Sequence, residues 1–168
     1  VTLSGSDRTL SGTTITTSST LSGGSNALTI AGDAGVGGAI TGVTNFEVTG
    51  ASTLGANVTT SGSQLYSGAV TLSGGDRTLS GTTITTGSTL AGGGNALTIA
   101  GDASVGGAIT GVTNFSVSGA STLGGDVTTT GTQIYTGAVT VSGGDRTLTG
   151  ATIQNVSTIA GGGNSLTI

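Results

Sequence analysis

Apolar and polar residues alternate along this chain in short runs. VTLSG (1–5), ALTIAG (27–32), FSVSG (115–119) and TQIYTG (132–137) have period two, with Val, Leu, Ile, Phe or Tyr on one face. A period of two puts those residues on one face of an extended segment, so each run reads as a short strand. Gly-rich punctuation such as SGGD, AGGGN, AGDA, VGGA and LGGD follows roughly every six to ten residues and reads as turns. No apolar stripe recurs at i, i+3, i+4, and the abundant Thr and Gly are poor helix formers. The pattern predicts an all-β chain.

The runs recur on a longer period. VTLSG at position 1 returns at 70, and as VTVSG at 139, an offset of 69 both times. The first two copies (1–69 and 70–138) share 56 of 69 positions, and most differences exchange Ser, Gly, Ala and Thr. A partial third copy covers 139–168. A chain that begins and ends within a repeat, without atypical ends, is expected to be a slice of something longer.

A sandwich or barrel would need longer strands and larger core residues, and has no use for near-identical 69-residue units. A parallel β-helix has such a use, because each turn of chain rests on the previous one at about 4.8 Å and every residue meets its structural equivalent. We therefore expect one continuous parallel β-solenoid over 1–168. One repeat parses into about four coils: 95–110, 111–130, 131–150 and a short 151–163. That parse gives nine or ten coils in all and a rod about 45 Å long. Three coils of about 23 residues per repeat is the alternative division.

Composition removes several classes. Disorder normally combines few apolar residues with high net charge. Here the net charge is −4, and mean hydropathy is +0.31. Three basic residues cannot form the patch that nucleic acid or an anionic membrane surface requires. No apolar run approaches the ~20 residues that span a bilayer as a helix. Cys and His are absent, which excludes a disulfide framework, thiolate chemistry and metal binding by those side chains.

The segment GTQIYTGAVTVSGGDRTLTG (131–150), with its Tyr-x-Gly-Ala-Val-Thr core, resembles the repeats of very large bacterial exoproteins of the filamentous-haemagglutinin-like kind. The likeness extends over the whole chain and is one of composition and repetition. It implies a right-handed β-helix, secretion in an unfolded state by a two-partner route, and a place on the bacterial cell surface. It also implies service as an adhesin or biofilm-matrix fibre.

The repeat constrains what chemistry the polar residues can carry. The acids are Asp7, Asp33, Glu47, Asp76, Asp102, Asp126 and Asp145. A pair of carboxylates would suit glycoside cleavage. However, Asp7, Asp76 and Asp145 are one repeat position, as are Asp33 and Asp102, and a site built once does not recur in every copy. We read them as turn residues bonding the local backbone. Arg8, Arg77 and Arg146 each follow such an Asp; one cation per repeat is too few for an acidic glycan, and the Asp–Arg neighbours are expected at a corner, paired there or with an adjacent coil. SGGDRTL only partly matches the Gly-Gly-x-Gly-x-Asp calcium repeat, and recurs every 69 residues rather than every nine. Asn26, Asn95, Asn164, Asn45 and Asn114 are assigned to left-handed turns and amide bonding. Phe46, Phe115, Tyr66 and Tyr135 are assigned to the core in preference to sugar stacking. The runs TTITT at 13–17 and 82–86 and VTTT at 127–130 raise the question of a flat Thr face that orders ice, although ATIQN at 151–155 interrupts the rank.

No catalytic, cofactor-binding or metal-ligating residue is assigned, and no cofactor is expected. The expected role is non-enzymatic: a structural repeat region forming a rigid stalk or filament. Its expected partners are further copies of itself, end to end or side by side, and cell-surface or matrix polysaccharide. The alternatives are a self-assembling filament subunit and, in a different class, an ice-binding solenoid. The alternation directs Ile84 inward and its neighbour Thr83 outward. In chemical denaturation, Ile84→Asp should therefore cost several kcal/mol, roughly 3–5, by burying a charge, whereas Thr83→Asp should cost well under half of that. Equal losses would overturn the inward assignment.

Overall fold

A computed structural model of the chain describes all 168 residues, and it contains strands, turns and bends but no helix. Twenty strands form one sheet in which every pairing is parallel. Each strand lies on the one that precedes it by a full turn of chain, 17 to 21 residues earlier. The result is a β-solenoid of about eight turns. At about 4.8 Å per turn the rod is about 40 Å long, a little shorter than the coil parse predicted.

Each turn passes through three short strands, so the rod has three faces. Three inward columns record them. On the first face Leu21 is followed upward by Ile40, Val58, Leu79, Ile99, Val117 and Tyr135. On the second, Leu28 is followed by Phe46, Gln64, Ile84, Ala103, Ser121 and Val139. On the third, Ala34 is followed by Ser52, Val70, Leu90, Ile109, Val127 and Leu148. Alternation along each strand fills these columns. In Ser121–Leu123 the ends are buried and Thr122 is exposed, and Val127–Thr129 repeats the pattern. The inward residues form one continuous apolar cluster along the rod. Ile84 is 1% exposed and Thr83 is half-buried, as the alternation requires.

The division into four coils per repeat is corrected by these columns. Leu21, Leu90 and Ile159 share one repeat position, but Leu90 stands on the third face. Ile159, paired with Val139, stands on the second. One repeat is therefore about three and two-thirds turns. The segment 151–163, which the parse treated as a cramped coil, supplies only two of a turn's three strands, Thr152–Asn155 and Ile159–Ala160. The third face of that turn is completed by Leu166–Thr167, which pairs with the strand that carries Leu148.

Corners decide where glycine is obligatory. A Cβ on Gly101 would lie 1.9 Å from the carbonyl oxygen of Gly81 one turn below, and one on Gly32 would lie 1.8 Å from that of Gly12. Side chains at these corners would push successive turns apart and break the ladder. The Gly-rich turns before Asn26, Asn95 and Asn164 contain a different constraint. Their left-handed positions are Gly24 and Ser25, Gly93 and Gly94, and Gly162 and Gly163, so the Asn residues themselves are not left-handed, contrary to expectation. Ser25, at φ 64°, is the one non-glycine residue of the chain with positive φ, and its equivalents are Gly94 and Gly163. Ser25→Gly should stabilise the protein by up to about 1 kcal/mol by removing left-handed strain. Gly101→Ala should cost about 3 kcal/mol or more through the clash with the turn below. Thermal melts of the two variants would read both, and opposite signs are expected.

Candidate functional site

The polar residues proposed from the sequence do not converge on one place. They are distributed along the corners and faces of the rod.

Every aspartate is used as a clamp between turns. One carboxylate oxygen accepts the backbone N–H of a residue one turn above: Asp7 from Ala27, Asp33 from Ala51, Asp76 from Ala96, and Asp102 from Ala120, each at 2.8 Å. Asp126 accepts from Thr147 at 2.9 Å and Asp145 from Ser165 at 2.8 Å. Asn45, Asn57 and Asn114 do the same with their amide oxygens, toward Ser63, Thr78 and Thr132, each at 2.9 Å. The bonds run to the adjacent turn and not, as expected, to the local backbone. Several need a glycine as well. A Cβ on Gly119 would lie 2.2 Å from the Asp102 carboxylate, and one on Gly62 would lie 2.4 Å from the Asn45 amide oxygen. The acid therefore reaches across a bare glycine to the next N–H. Acids tied down at separate corners do not gather: no three His, Cys, Asp or Glu side chains form a cluster that could hold a metal ion. Glu47 lies apart from the corners, on the outer side of the second face between Thr29 and Leu65.

The arginines correct a second expectation. Their partners are carbonyl oxygens of the SGGD-type turn, and for Arg77 also one of the adjacent coil, rather than the neighbouring carboxylate. Arg77 donates to the carbonyls of Asp76, Ser73 and Leu54, and Arg146 to those of Asp145 and Ser142. Arg8 bonds the carbonyls of Ser4 and Asp7. Each guanidinium folds the turn that carries it. Asn26 and Asn95 act similarly, donating their side-chain amides to the carbonyls of Gly23 and Gly92 at 3.0 and 2.9 Å.

All four aromatic rings are interior. Phe46 and Tyr66 meet edge to face with centroids 5.9 Å apart, and Phe115 and Tyr135 at 6.0 Å. With no aromatic ring on the surface, the flanks lack a stacking platform for sugars. Each tyrosine belongs to a buried network that the sequence reading missed. Tyr66 donates to Gln64 Oε1 at 2.8 Å, and Gln64 Nε2 donates to the carbonyls of Ser80 at 2.8 Å and Val58 at 3.1 Å. Gln133 and Tyr135 repeat it with Thr149 and Val127. The available signal was the Gln-x-Tyr spacing, which sends both side chains inward from one strand. Burial pushes both phenols well above their ordinary pKa, so they remain neutral donors.

The outer faces are rich in hydroxyls. Thr16 and Thr85, from the two TTITT runs, lie on different faces and do not form one rank. The third face instead assembles its rank from single threonines of successive strands: Thr53, Thr71, Thr110 and Thr128, interrupted by Ala91. At the two ends the core is uncovered, beside Val1, Leu10, Ile15 and Leu21 at one and Leu148, Ile153 and Ile168 at the other. No helix is long and apolar enough to cross a membrane.

No protein family, curated protein or solved structure matches the chain. The fold and the placement of its side chains therefore stand on the geometry alone.

The clamp predicts a graded response. Asp102→Ala leaves the Ala120 N–H without its charged acceptor and should cost about 1–2 kcal/mol. Asp102→Asn keeps an acceptor, as Asn57 does where the next copy has Asp126, and should cost less than half as much. Denaturation midpoints for the two variants measure this, and equal losses would show that charge rather than the inter-turn bond is what counts.

Proposed function

We propose that this chain is a structural repeat region of a secreted bacterial surface adhesin or biofilm-matrix fibre, serving as a rigid stalk or filament without enzymatic activity. The observation that carries this reading is that all six aspartates and three of the asparagines bind one turn to the next, while the arginines fold the corners that carry them. Six aspartates, three asparagines and three arginines hold turns or corners, and two glutamine–tyrosine pairs hold the interior. Such a molecule invests its polar chemistry in axial continuity. Quasi-one-dimensional stacking converts added repeats directly into length. The axial partners of such a rod are further coils or other copies of the chain, since strand edges of one turn pair readily with the next. Flank contacts with polysaccharide would rest on hydroxyls and carbonyls rather than rings.

A second reading has one specific observation in its favour. The exposed Thr53, Thr71, Thr110 and Thr128 stand in a rank at the solenoid spacing, the kind of flat hydroxyl array that can order water. Ala91 interrupts it.

Electron microscopy of the native full-length protein, on cells and after shedding, separates the structural forms. Thin rods anchored at one end are expected for a stalk, and long unanchored or bundled fibres for a matrix filament. Compact particles would overturn both. Thermal hysteresis measured on the same preparation is expected to be absent, and a clear freezing gap would transfer the conclusion to ice binding.

A further inference from the structure

The mismatch between repeat and turn has a consequence for what the rod displays. Between Leu21 and its equivalent Leu90 the chain lays down eleven strand positions, and each turn uses three. Eleven is one short of a multiple of three. Each copy therefore begins one face back from the copy before it, as the placement of Leu21, Leu90 and Ile159 on three different faces records.

We infer that each 69-residue copy turns the rod's surface by one-third of a revolution, so that repeat-borne groups form a screw array on all three sides and the number of copies sets the direction in which any following segment points. The outward residues of this chain carry the evidence. Going up the third face they are Thr16, Gly35, Thr53, Thr71 and Ala91. Going up the second face one copy later they are Thr85, Ser104, Thr122, Thr140 and Ala160. These are the same five repeat positions, each displaced by 69, on a different side of the molecule. Over three copies every face receives all eleven outward positions in the same order. No side of a long rod then has a chemistry of its own.

The axial step follows from the turn spacing. Three and two-thirds turns at about 4.8 Å advance the rod by about 18 Å, and the original orientation returns after three copies, about 53 Å along. A partner that reads a repeat-borne group, such as the Arg146 corner, meets it as a spiral of sites rather than a line. Two rods in lateral contact present the same surface whichever sides they offer. This inference concerns the winding of the chain and holds for a stalk and a filament alike, so it stands or falls separately from the proposed function.

Distance measurement between nitroxide labels tests it on the chain as it is. Thr53 and Thr122 are repeat equivalents placed on different faces. Thr53 and Thr128 share the third face, since Thr53 leads through Thr71 and Ala91 to Thr110 and Ile109 pairs with Val127. All three threonines are exposed, so labelling replaces no core side chain. The Thr53–Thr122 pair is about a third of a turn closer along the axis, yet pulsed electron–electron resonance should report it as the longer distance, because the vector crosses the rod. A Thr53–Thr122 distance equal to or shorter than Thr53–Thr128 would place equivalent residues on one side and overturn the inference. The Thr53–Thr128 pair also serves as the internal control for folding, since the same kind of label sits on the same surface.

Discussion

Everything in this molecule depends on successive turns of chain remaining one strand spacing apart. Backbone N–H groups of one turn donate to carbonyls of the turn below, as Gly50 does to Gly32 and Gly119 to Gly101. That spacing of about 4.8 Å leaves no freedom to adjust. A bulky corner breaks it, an unfilled interior lets it collapse, and an insertion must be accommodated sideways. The glycines at the corners, the narrow aliphatic interior and the alternation of the strands are three answers to that one requirement.

The polar side chains answer it as well. A turn of solenoid leaves corner N–H groups that the regular ladder does not reach, and these are the groups taken by the aspartates and asparagines. Because the acceptor sits one turn below, the clamp resists separation of turns more directly than a local turn bond would. Arg77 reaches the Leu54 carbonyl one turn below as well as carbonyls of its own turn, whereas Arg146 holds carbonyls of its own turn. The interior has its own polar element in the Gln–Tyr pairs, whose amide spans two carbonyls and an aromatic hydroxyl. In a narrow column, such a satisfied network fixes which strand lies on which, since sliding one turn would leave the amide unpaired.

Internal repetition and winding are separate facts here, and their mismatch averages the surface. A repeat of whole turns would stack every Asp7 equivalent along one edge and concentrate like charges there. With two-thirds of a turn left over, Asp7, Asp76 and Asp145 are dispersed around the rod, as are the single arginines. Near-identity of the copies is compatible with this because the three faces impose the same demands: a buried residue, an outward one, a buried one, and a turn. Ser25 shows where a copy departs from that template at a strained position.

The alternation of Val, Leu, Ile and Thr with its glycine punctuation by itself determined the strand class and which residues face inward, because period-two burial is a local property, while the 69-residue repetition pointed to parallel stacking. It also determined that Phe46 and Tyr66 belong to the core and that a repeated acid such as Asp102 is structural. It did not contain the number of turns per repeat, because that number depends on how many strands close a turn, and closure is decided only when distant segments meet. For the same reason the partners of Asp102, Asn45 and Arg77 were not legible. Their bonds join residues about one turn apart, or form within a turn whose shape the stacked chain sets. Local pattern records which side of a strand a residue occupies, and only the tertiary structure decides what lies above and below it.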